Sequence, residues 1–197
     1  MGLRADVYDP RSLVPPPHRL LEYRGTPHTV EVMCALALGN RGERSIKVRR
    51  HAEQIVNNVR PKDYASEALA IYYWWCTAGR YTRDPLHVEL LKDPERMVDD
   101  AVAGRLVCDC DELALGIATD VLVLGGESRF VTVGFKAHPL WLPQSRAAIE
   151  AGNGFTHVFA QARDPRSKTW WALDPVAGRR VGRMLRRVKL ARFYPIG

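Results

Sequence analysis

The chain has 197 residues and a net charge of +7, and its 46% apolar and 26% charged residues are typical of a globular protein with one hydrophobic core. Its apolar stretches fall short of the roughly 18 residues that a membrane span needs, and its first residues lack the pattern of a secretory signal, so we expect a cytoplasmic protein. Four cysteines in such a chain are expected to be reduced thiols and not a disulfide framework.

The N-terminal part of the chain is predicted to be an arm followed by helices. Residues 1–27 are rich in proline and show no periodicity, which indicates an extended arm. Residues 28–197 are then expected to form a single domain. The domain should open with helices at residues 29–38 and 46–59, and Pro61 ends the second of them.

A third helix is predicted to begin at Asp63 or Ser66 and to end near Gly79. Because this helix is apolar nearly all round, it should be buried. We expect Trp74 and Trp75 to lie in the core or along the wall of a groove rather than in a ligand stack.

The middle of the chain contains the helix on which the functional argument depends. Residues 81–91 predict a loop or a short edge strand, and Pro94 begins a short helix that reaches Val98. Apolar residues at helical spacing then predict a buried helix from Cys110 to Leu124 that is ended by two glycines. The cysteine lies in the first turn of that helix.

Strands are predicted in the C-terminal part of the chain. The residue pattern indicates strands at residues 128–135, 156–162 and 169–173, and a turn pairs the last two. The polar connection over residues 136–154 is long enough to suggest a flap. His138 within it is expected to be a surface residue.

The excess positive charge belongs to the C-terminal segment, where residues 179–192 hold seven basic residues and no acidic one. An apolar repeat from Val181 to Val188 predicts a helix whose arginines face solvent. The cluster can be a solvated helix face, or it can bind nucleic acid or an acidic partner. The arginines considered for such contacts are Arg179, Arg180, Arg183, Arg186 and Arg187.

Cys110, His157 and Asp174 are the candidate site residues. The thiolate is the reactive form of cysteine, and a helix N-terminus beside an imidazole can stabilise a thiolate at neutral pH. Cys110 opens a helical pattern, and His157 and Asp174 follow it in strand-like segments. In the logic of a catalytic triad, the histidine takes the thiol proton and the aspartate holds the ring in one tautomer.

Three motifs carry these residues: Gly-x-x-x-Cys-x-Cys-Asp-Glu-Leu-Ala over residues 104–114, Phe-Thr-His-Val-Phe over 155–159, and Trp-Trp-Ala-Leu-Asp-Pro over 170–175. Together they resemble the transglutaminase-like cysteine-enzyme superfamily. The resemblance covers mainly residues 64–176, and within the superfamily it points to the small proteins encoded in phage and prophage genomes.

The resemblance implies an α+β fold with a papain-like core, in which the nucleophile helix packs on an antiparallel sheet and extra N-terminal helices cover one side. Matched residue by residue, it implies Cys110 as the nucleophile, His157 as the general base and Asp174 as the residue that orients the imidazole. We expect no cofactor and no metal.

The same side chains have competing uses. Cys108, Cys110, His157 and Asp174 could instead bind zinc, although a Cys-x-Cys pair lacks the usual spacing of structural zinc sites. Cys108 could also be a packing side chain, a spare thiol or a partner in reversible oxidation.

The surroundings of the cysteine raise two further questions. Asp109, Asp111 and Glu112 complement the helix dipole, but their charges oppose thiolate formation at Cys110. An acyl-transfer mechanism also needs two donors for the oxyanion. The backbone N–H of the cysteine is one candidate, and residues 81–84, Trp74 or Trp75 could supply the other.

These observations favour a cysteine-dependent enzyme that transfers acyl groups from amide bonds of a protein or peptide substrate through a thioester. Transfer to water would make it a peptidase or amidase, and transfer to an amine would make it a transglutaminase. The alternative is a catalytically silent assembly or binding module of phage type that uses the basic C-terminal segment. A phage-encoded protein could also be associated with the virion.

Overall fold

Helices fill the first part of the chain and the strands of one sheet fill the last part. The computed structural model of the protein describes residues 18–21, 26–84, 89–135, 155–178 and 188–197. The helices are α1 (Thr26–Ala37), α2 (Ile46–Ile55), α3 (Tyr64–Ala78), α4 (Pro94–Val102) and α5 (Cys110–Val123). The strands are β1 (His18–Leu21), β2 (Arg80–Tyr81), β3 (Glu89–Lys92), β4 (Val107–Cys108), β5 (Glu127–Phe135), β6 (His157–Arg163), β7 (Trp170–Leu173) and β8 (Val188–Pro195). The predicted α+β class is confirmed.

The main sheet has four antiparallel strands in the order β7-β6-β5-β8. Its register places Val133 of β5 opposite His157, the first residue of β6. The paired strands predicted at residues 156–162 and 169–173 are confirmed to within one residue at each end. Outside this sheet, β1 pairs antiparallel with β3, and β2 pairs parallel with β4.

Helix α5 is the buried centre of the fold, since every residue from Asp111 to Val123 is buried. Its apolar side chains share one core with Phe130 and Val158 of the sheet and with Trp75 of α3. Gly116 allows α5 to pack closely against α3, because a Cβ at this position would lie 2.5 Å from the Trp75 ring. The helix that carries Cys110 is therefore fixed along its whole length by packing on both sides.

Side-chain caps explain where three other helices begin. Ser45, Asp63 and Asp93 are the N-caps of α2, α3 and α4, and each accepts a hydrogen bond from a backbone N–H in the first turn. The predicted start of α3 at Asp63 is thus confirmed. Helix α1 begins at Thr26, three residues before the predicted start, because Pro27 is favourable in the first turn of a helix.

The prediction of a C-terminal helix that reaches Val188 is wrong at that residue. Val188 begins β8, which pairs with the central strand β5 and so satisfies its backbone groups in the sheet. The five candidate arginines between residues 179 and 187 lie outside the described residues, as does the predicted flap at 136–154 with His138. Of the predicted arm, only residues 18–21 and the start of α1 are described.

In the part of the chain that the structure describes, no helix is both long and apolar enough to cross a bilayer.

Candidate functional site

Cys110 is held as the first residue of α5 by a reciprocal cap. The Asp109 side chain accepts a hydrogen bond from the Asp111 N–H at 3.2 Å, and Glu112 Oε2 accepts one from the Asp109 N–H at 3.2 Å. Such a capping box fixes the direction in which the chain enters the helix. The half-buried Cys110 therefore lies at the positive end of the helix dipole, where an anion is stabilised.

The negative charge of Glu112 has a partner at the same helix end. Glu112 is 2% exposed, and its Oε1 lies 2.7 Å from Lys92 Nζ, which also donates to the Val107 carbonyl at 2.6 Å. Burial raises the pKa of the Glu112 carboxyl, and the Lys92 ammonium opposes that rise. One of the three first-turn carboxylates that oppose a thiolate is thus paired with a cation.

Cys108 is a core side chain. It lies in β4 with 2% of its surface exposed, and it packs in the main hydrophobic cluster. Burial, and then the Glu112 charge, raise the pKa of its thiol to about 12. A thiol with such a pKa is protonated at neutral pH, which agrees with the interpretation of Cys108 as a packing side chain.

His157 and Asp174 form a buried hydrogen-bonded pair. His157 Nε2 lies 2.9 Å from Asp174 Oδ2, and the two residues are 7% and 1% exposed. The other carboxylate oxygen of Asp174 accepts N–H bonds from Val176 at 3.1 Å and Ala177 at 3.3 Å, which caps a 3-10 turn over Pro175–Ala177. Both oxygens of the carboxylate are engaged, so its orientation toward the imidazole is fixed.

Tyr72 of α3 anchors the turn that carries Asp174. Its hydroxyl donates to the Asp174 carbonyl at 3.3 Å and to the Gly178 carbonyl, and its side chain is fully buried. Burial raises the pKa of this phenol, so the hydroxyl remains a donor at neutral pH. Sequence analysis missed this contact, which joins residues 102 positions apart and has no local signal.

Cys110 and His157 border one cavity of about 200 Å³. Its wall is made by one face of α1 between Thr26 and Met33, by residues 109–111 at the start of α5, and by residues 155–158 at the entry to β6. The structure thus brings the predicted nucleophile and base to the same space, and the Asp174 carboxylate contacts the imidazole from within the protein. The contribution of α1 was not predicted from the sequence.

The proposed metal ligands are not grouped as the zinc interpretation requires. Among the described residues, the side chains close enough to share a metal ion are Asp109, Cys110 and Asp111, whose ligand atoms lie within 4.8 Å of one another. Cys108 lies instead in the core, and both oxygens of Asp174 accept other hydrogen bonds.

Two of the candidate oxyanion donors can now be distinguished. The Trp75 indole donates to Asp120 Oδ2 at 2.8 Å within the core, which removes it from the candidates. Tyr81 lies in β2 beside the strand that leads to Cys110. Tyr81 is 42% exposed; partial burial, and then negative charge at Cys110 and Asp109, raise the pKa of its hydroxyl, whereas a hydrogen bond with Arg83 lowers it.

A second histidine–aspartate pair lies in the core, and sequence analysis did not identify it. His51 Nδ1 of α2 lies 3.4 Å from Asp120 Oδ1 of α5, and Asp120 Oδ2 accepts the Trp75 indole N–H. The Trp74 ring packs edge-on against the imidazole with 4.4 Å between centroids. These aromatic rings enclose the second pair on the side of α3.

No family model matches the chain, and no curated protein matches it either. Among solved structures, the chain is similar to a chain of the crystal structure of Rad4-Rad23 crosslinked to an undamaged DNA, with 12% sequence identity and a TM-score of 0.46. The similarity covers 85% of this chain, which spans 45% of the length of that one. A likeness at this level assigns neither a family nor a function.

Proposed function

We propose that the protein is a cysteine-dependent acyl-transfer enzyme that acts on amide bonds of protein or peptide substrates through a thioester. The observation that carries the proposal is the 2.9 Å contact between His157 Nε2 and the buried Asp174 carboxylate, with His157 and Cys110 on one cavity wall. A nucleophile, a base and an orienting group are thereby arranged in the order that thiol activation requires.

The pairing assigns the two nitrogens of the imidazole. Because the Asp174 carboxylate can only accept, Nε2 carries the proton that it receives, and Nδ1 is the nitrogen that takes the Cys110 proton. The imidazolium formed in this step is stabilised by the aspartate, and the thiolate is stabilised by the positive end of α5. Asp174 positions the base and does not itself exchange a proton.

The reaction then follows from these protonation states. The Cys110 thiolate attacks the amide carbon, a carbon–sulfur bond forms, and the carbonyl oxygen becomes an oxyanion. The imidazolium gives its proton to the departing amine as the carbon–nitrogen bond breaks, which leaves a thioester. Water or a second amine, deprotonated by His157, attacks the thioester and restores the thiol.

The oxyanion needs two donors in a site from which water is largely excluded. The Cys110 backbone N–H at the first position of α5 is one candidate. The Tyr81 hydroxyl is a second candidate, because Tyr81 lies in β2, which pairs with the strand that leads to Cys110. Hydrolysis is the simpler outcome of the second step, since it needs no second substrate pocket.

The fold supports the same proposal. Helix α5 begins at the cysteine and packs against an antiparallel sheet whose strand β6 begins at His157 and whose strand β7 leads directly to Asp174. This is the arrangement expected for a papain-like core. With the three sequence motifs, it supports the proposal that the chain is a transglutaminase-like protein of the phage type.

The proposal is tested by the pH dependence of iodoacetamide alkylation at each of the four cysteines, resolved by peptide mass spectrometry in the wild type and in His157→Ala. We expect Cys110 to react below the pH range of an ordinary thiol, whose pKa is about 8.5, and to lose this advantage in the variant. Cys108 provides an internal negative control, because the pKa of its thiol is raised to about 12.

The opposite result would favour the binding module. If Cys110 reacts no faster than the half-buried Cys34 and Cys76, the three groups do not form an activated site. Binding to nucleic acid that weakens steeply with salt and survives Cys110→Ala would then support an assembly or binding function through the basic C-terminal segment.

A further inference from the structure

The turn that carries Asp174 starts where the main sheet ends. Leu173 is the last residue of β7 and pairs with Ala160 of β6. The chain then leaves the ladder and forms the 3-10 turn over Pro175–Ala177. Pairing in the sheet therefore fixes the chain up to Leu173, and the position of Asp174 depends on what holds the turn that follows.

Hydrogen bonds inside the turn fix its shape but not its place in the protein. The Ala177 N–H donates to the Asp174 carbonyl at 3.1 Å, and the Gly178 N–H donates to the Pro175 carbonyl at 3.3 Å. The two bonds to Asp174 Oδ1 also come from within the turn. Among the described residues, the side chains that hydrogen-bond to the turn from outside it are those of His157 and Tyr72.

The Tyr72 hydroxyl joins both ends of the turn to helix α3. It contacts the Asp174 carbonyl at 3.3 Å and the Gly178 carbonyl, which share its one proton. The tyrosine ring is fully buried in the main hydrophobic cluster, and Cys76 of the next helical turn is also hydrogen-bonded to the phenol. A helix packed in the core thereby sets the place of a turn that lies outside the sheet.

A displaced turn would change the contact between Asp174 and His157. This 2.9 Å contact keeps a proton on His157 Nε2 and stabilises the imidazolium that forms when Cys110 ionises. The two residues are 7% and 1% exposed, so little water is available to replace a lengthened bond. The contact therefore depends on how accurately the carboxylate is placed.

We propose that Tyr72 is a positioning residue of the site, whose hydroxyl holds the turn so that the Asp174 carboxylate meets the imidazole in the geometry that activates Cys110. The inference rests on the proposed function, because it takes Cys110 and His157 as the nucleophile and the base. Tyr72 is not part of the described lining of the cavity, so it acts through Asp174 and not on the substrate.

Tyr72→Phe tests the role, because it removes the hydroxyl and keeps the ring. The rate of iodoacetamide alkylation at Cys110 is measured against pH by peptide mass spectrometry, at a temperature at which circular dichroism shows that the variant is folded. We expect the midpoint of this profile to rise by about one pH unit and the rate below the midpoint to fall about tenfold, because a less stabilised imidazolium favours the protonated thiol. A loss of stability alone would not move the midpoint in the folded protein.

Two controls isolate the hydroxyl and its route of action. Tyr194 also has a buried hydroxyl, without a hydrogen-bond partner among the described residues, and it lies in β8, at the opposite edge of the sheet from β7. Tyr194→Phe should leave the profile unchanged. In Asp174→Ala, which has already lost the carboxylate, addition of Tyr72→Phe should change the alkylation rate of Cys110 by less than about twofold.

Gly178→Ala disturbs the same turn without a change in the core. Gly178 has a φ of 108°, which alanine rarely adopts, and a Cβ built there meets no described atom within 4 Å. The substitution therefore strains the backbone at the end of the turn that Tyr72 holds. We expect it to move the Cys110 profile in the same direction as Tyr72→Phe.

The outcomes separate the two proposals. A wild-type profile in folded Tyr72→Phe overturns the positioning role and leaves the cysteine enzyme intact, as does an undiminished effect of Tyr72→Phe in the Asp174→Ala background. Should Tyr72→Phe fail to fold, a wild-type profile in Gly178→Ala overturns the role in the same way. If Cys110 of the wild type reacts no faster than Cys34, the activated thiol is absent and both proposals fall.

Discussion

The molecule contains two buried histidine–aspartate pairs that look alike in isolation and differ in what surrounds them. His157 lies 2.9 Å from Asp174, and His51 lies 3.4 Å from Asp120. Each histidine is less than 10% exposed and each aspartate is 1% exposed. The first pair borders a cavity that also exposes Cys110, whereas the second is packed against the Trp74 and Trp75 rings.

A buried histidine–aspartate pair can move a proton only if its other neighbours leave the imidazole beside open space. At Asp174 the second carboxylate oxygen caps a turn, so the pair is rigid while the imidazole still borders open space. At Asp120 the second oxygen accepts the Trp75 indole N–H, and His51 Nε2 is buried without a hydrogen-bond partner among the described residues. The first arrangement can move a proton, and the second joins α2, α3 and α5.

Loss of each histidine should affect a different set of properties of the protein. His157→Ala should lower acylation of Cys110 by about 10³-fold, because the thiol loses its base, and it should also cost stability, because the buried Asp174 carboxylate loses its partner. His51→Ala should leave acylation of the folded protein unchanged and lower the unfolding midpoint. Acylation is measured as the burst of p-nitrophenol from p-nitrophenyl acetate, with Cys110→Ala as the blank.

A large loss of acylation in folded His51→Ala would show that the core pair is coupled to the chemistry, and the separation drawn above would be wrong.

The second test concerns the aspartate of the closed pair. Asp120→Ala should lower the free energy of unfolding by about 4 kcal/mol, because it leaves the Trp75 N–H and His51 without their buried partner. Asp120→Asn keeps an acceptor for the indole and should cost less. Urea unfolding measures both variants, and the alkylation rate of Cys110 in the native protein should not change. Equal losses in the two variants would contradict the role assigned to the indole bond.

The features that could be predicted from the sequence depend on interactions between residues that are close together in the chain. The start of α5 at Cys110 depends on an Asp109 cap and a Glu112 three residues later, both of which are local signals. The pairing of β6 with β7 depends on a short turn between two apolar runs. The register of this hairpin then brings Asp174 to His157.

The missed features depend on distant residues. His51 and Asp120 are 69 positions apart, and no local pattern relates them. Part of the cavity wall comes from α1, which is far from the cysteine in the sequence. The apolar repeat from Val181 to Val188 has helical spacing, but pairing with the distant strand β5 places Val188 in a strand.

A third test concerns the ion pair between Lys92 and Glu112 at the start of α5. Lys92→Met should lower the free energy of unfolding at neutral pH by about 3 kcal/mol, because it leaves the buried Glu112 charge unpaired. Lys47→Met is the matched control, since Lys47 pairs with Asp99 at 2.9 Å in solvent, and it should cost about 0.5 kcal/mol or less.

The loss of stability in Lys92→Met should depend on pH in one direction. Burial already raises the pKa of Glu112, and loss of the ammonium that lowers it raises this pKa further. A raised folded-state pKa means that stability is present at low pH and is lost as the carboxyl ionises. The deficit of Lys92→Met relative to wild type should therefore be smaller at about pH 4.5 than at neutral pH. A deficit that grows on acidification would exclude Glu112 as its cause.

Substitution of Tyr81 can separate stabilisation of the oxyanion from activation of the thiol. Tyr81→Phe should lower acylation by p-nitrophenyl acetate about 100-fold, because it removes the hydroxyl that we propose as the second oxyanion donor. Alkylation of Cys110 by iodoacetamide forms no oxyanion, so its rate should be unchanged. Tyr73→Phe, at an exposed position of α3, should alter neither rate. If alkylation falls as much as acylation, the Tyr81 hydroxyl acts on the thiolate, and the second oxyanion donor lies elsewhere.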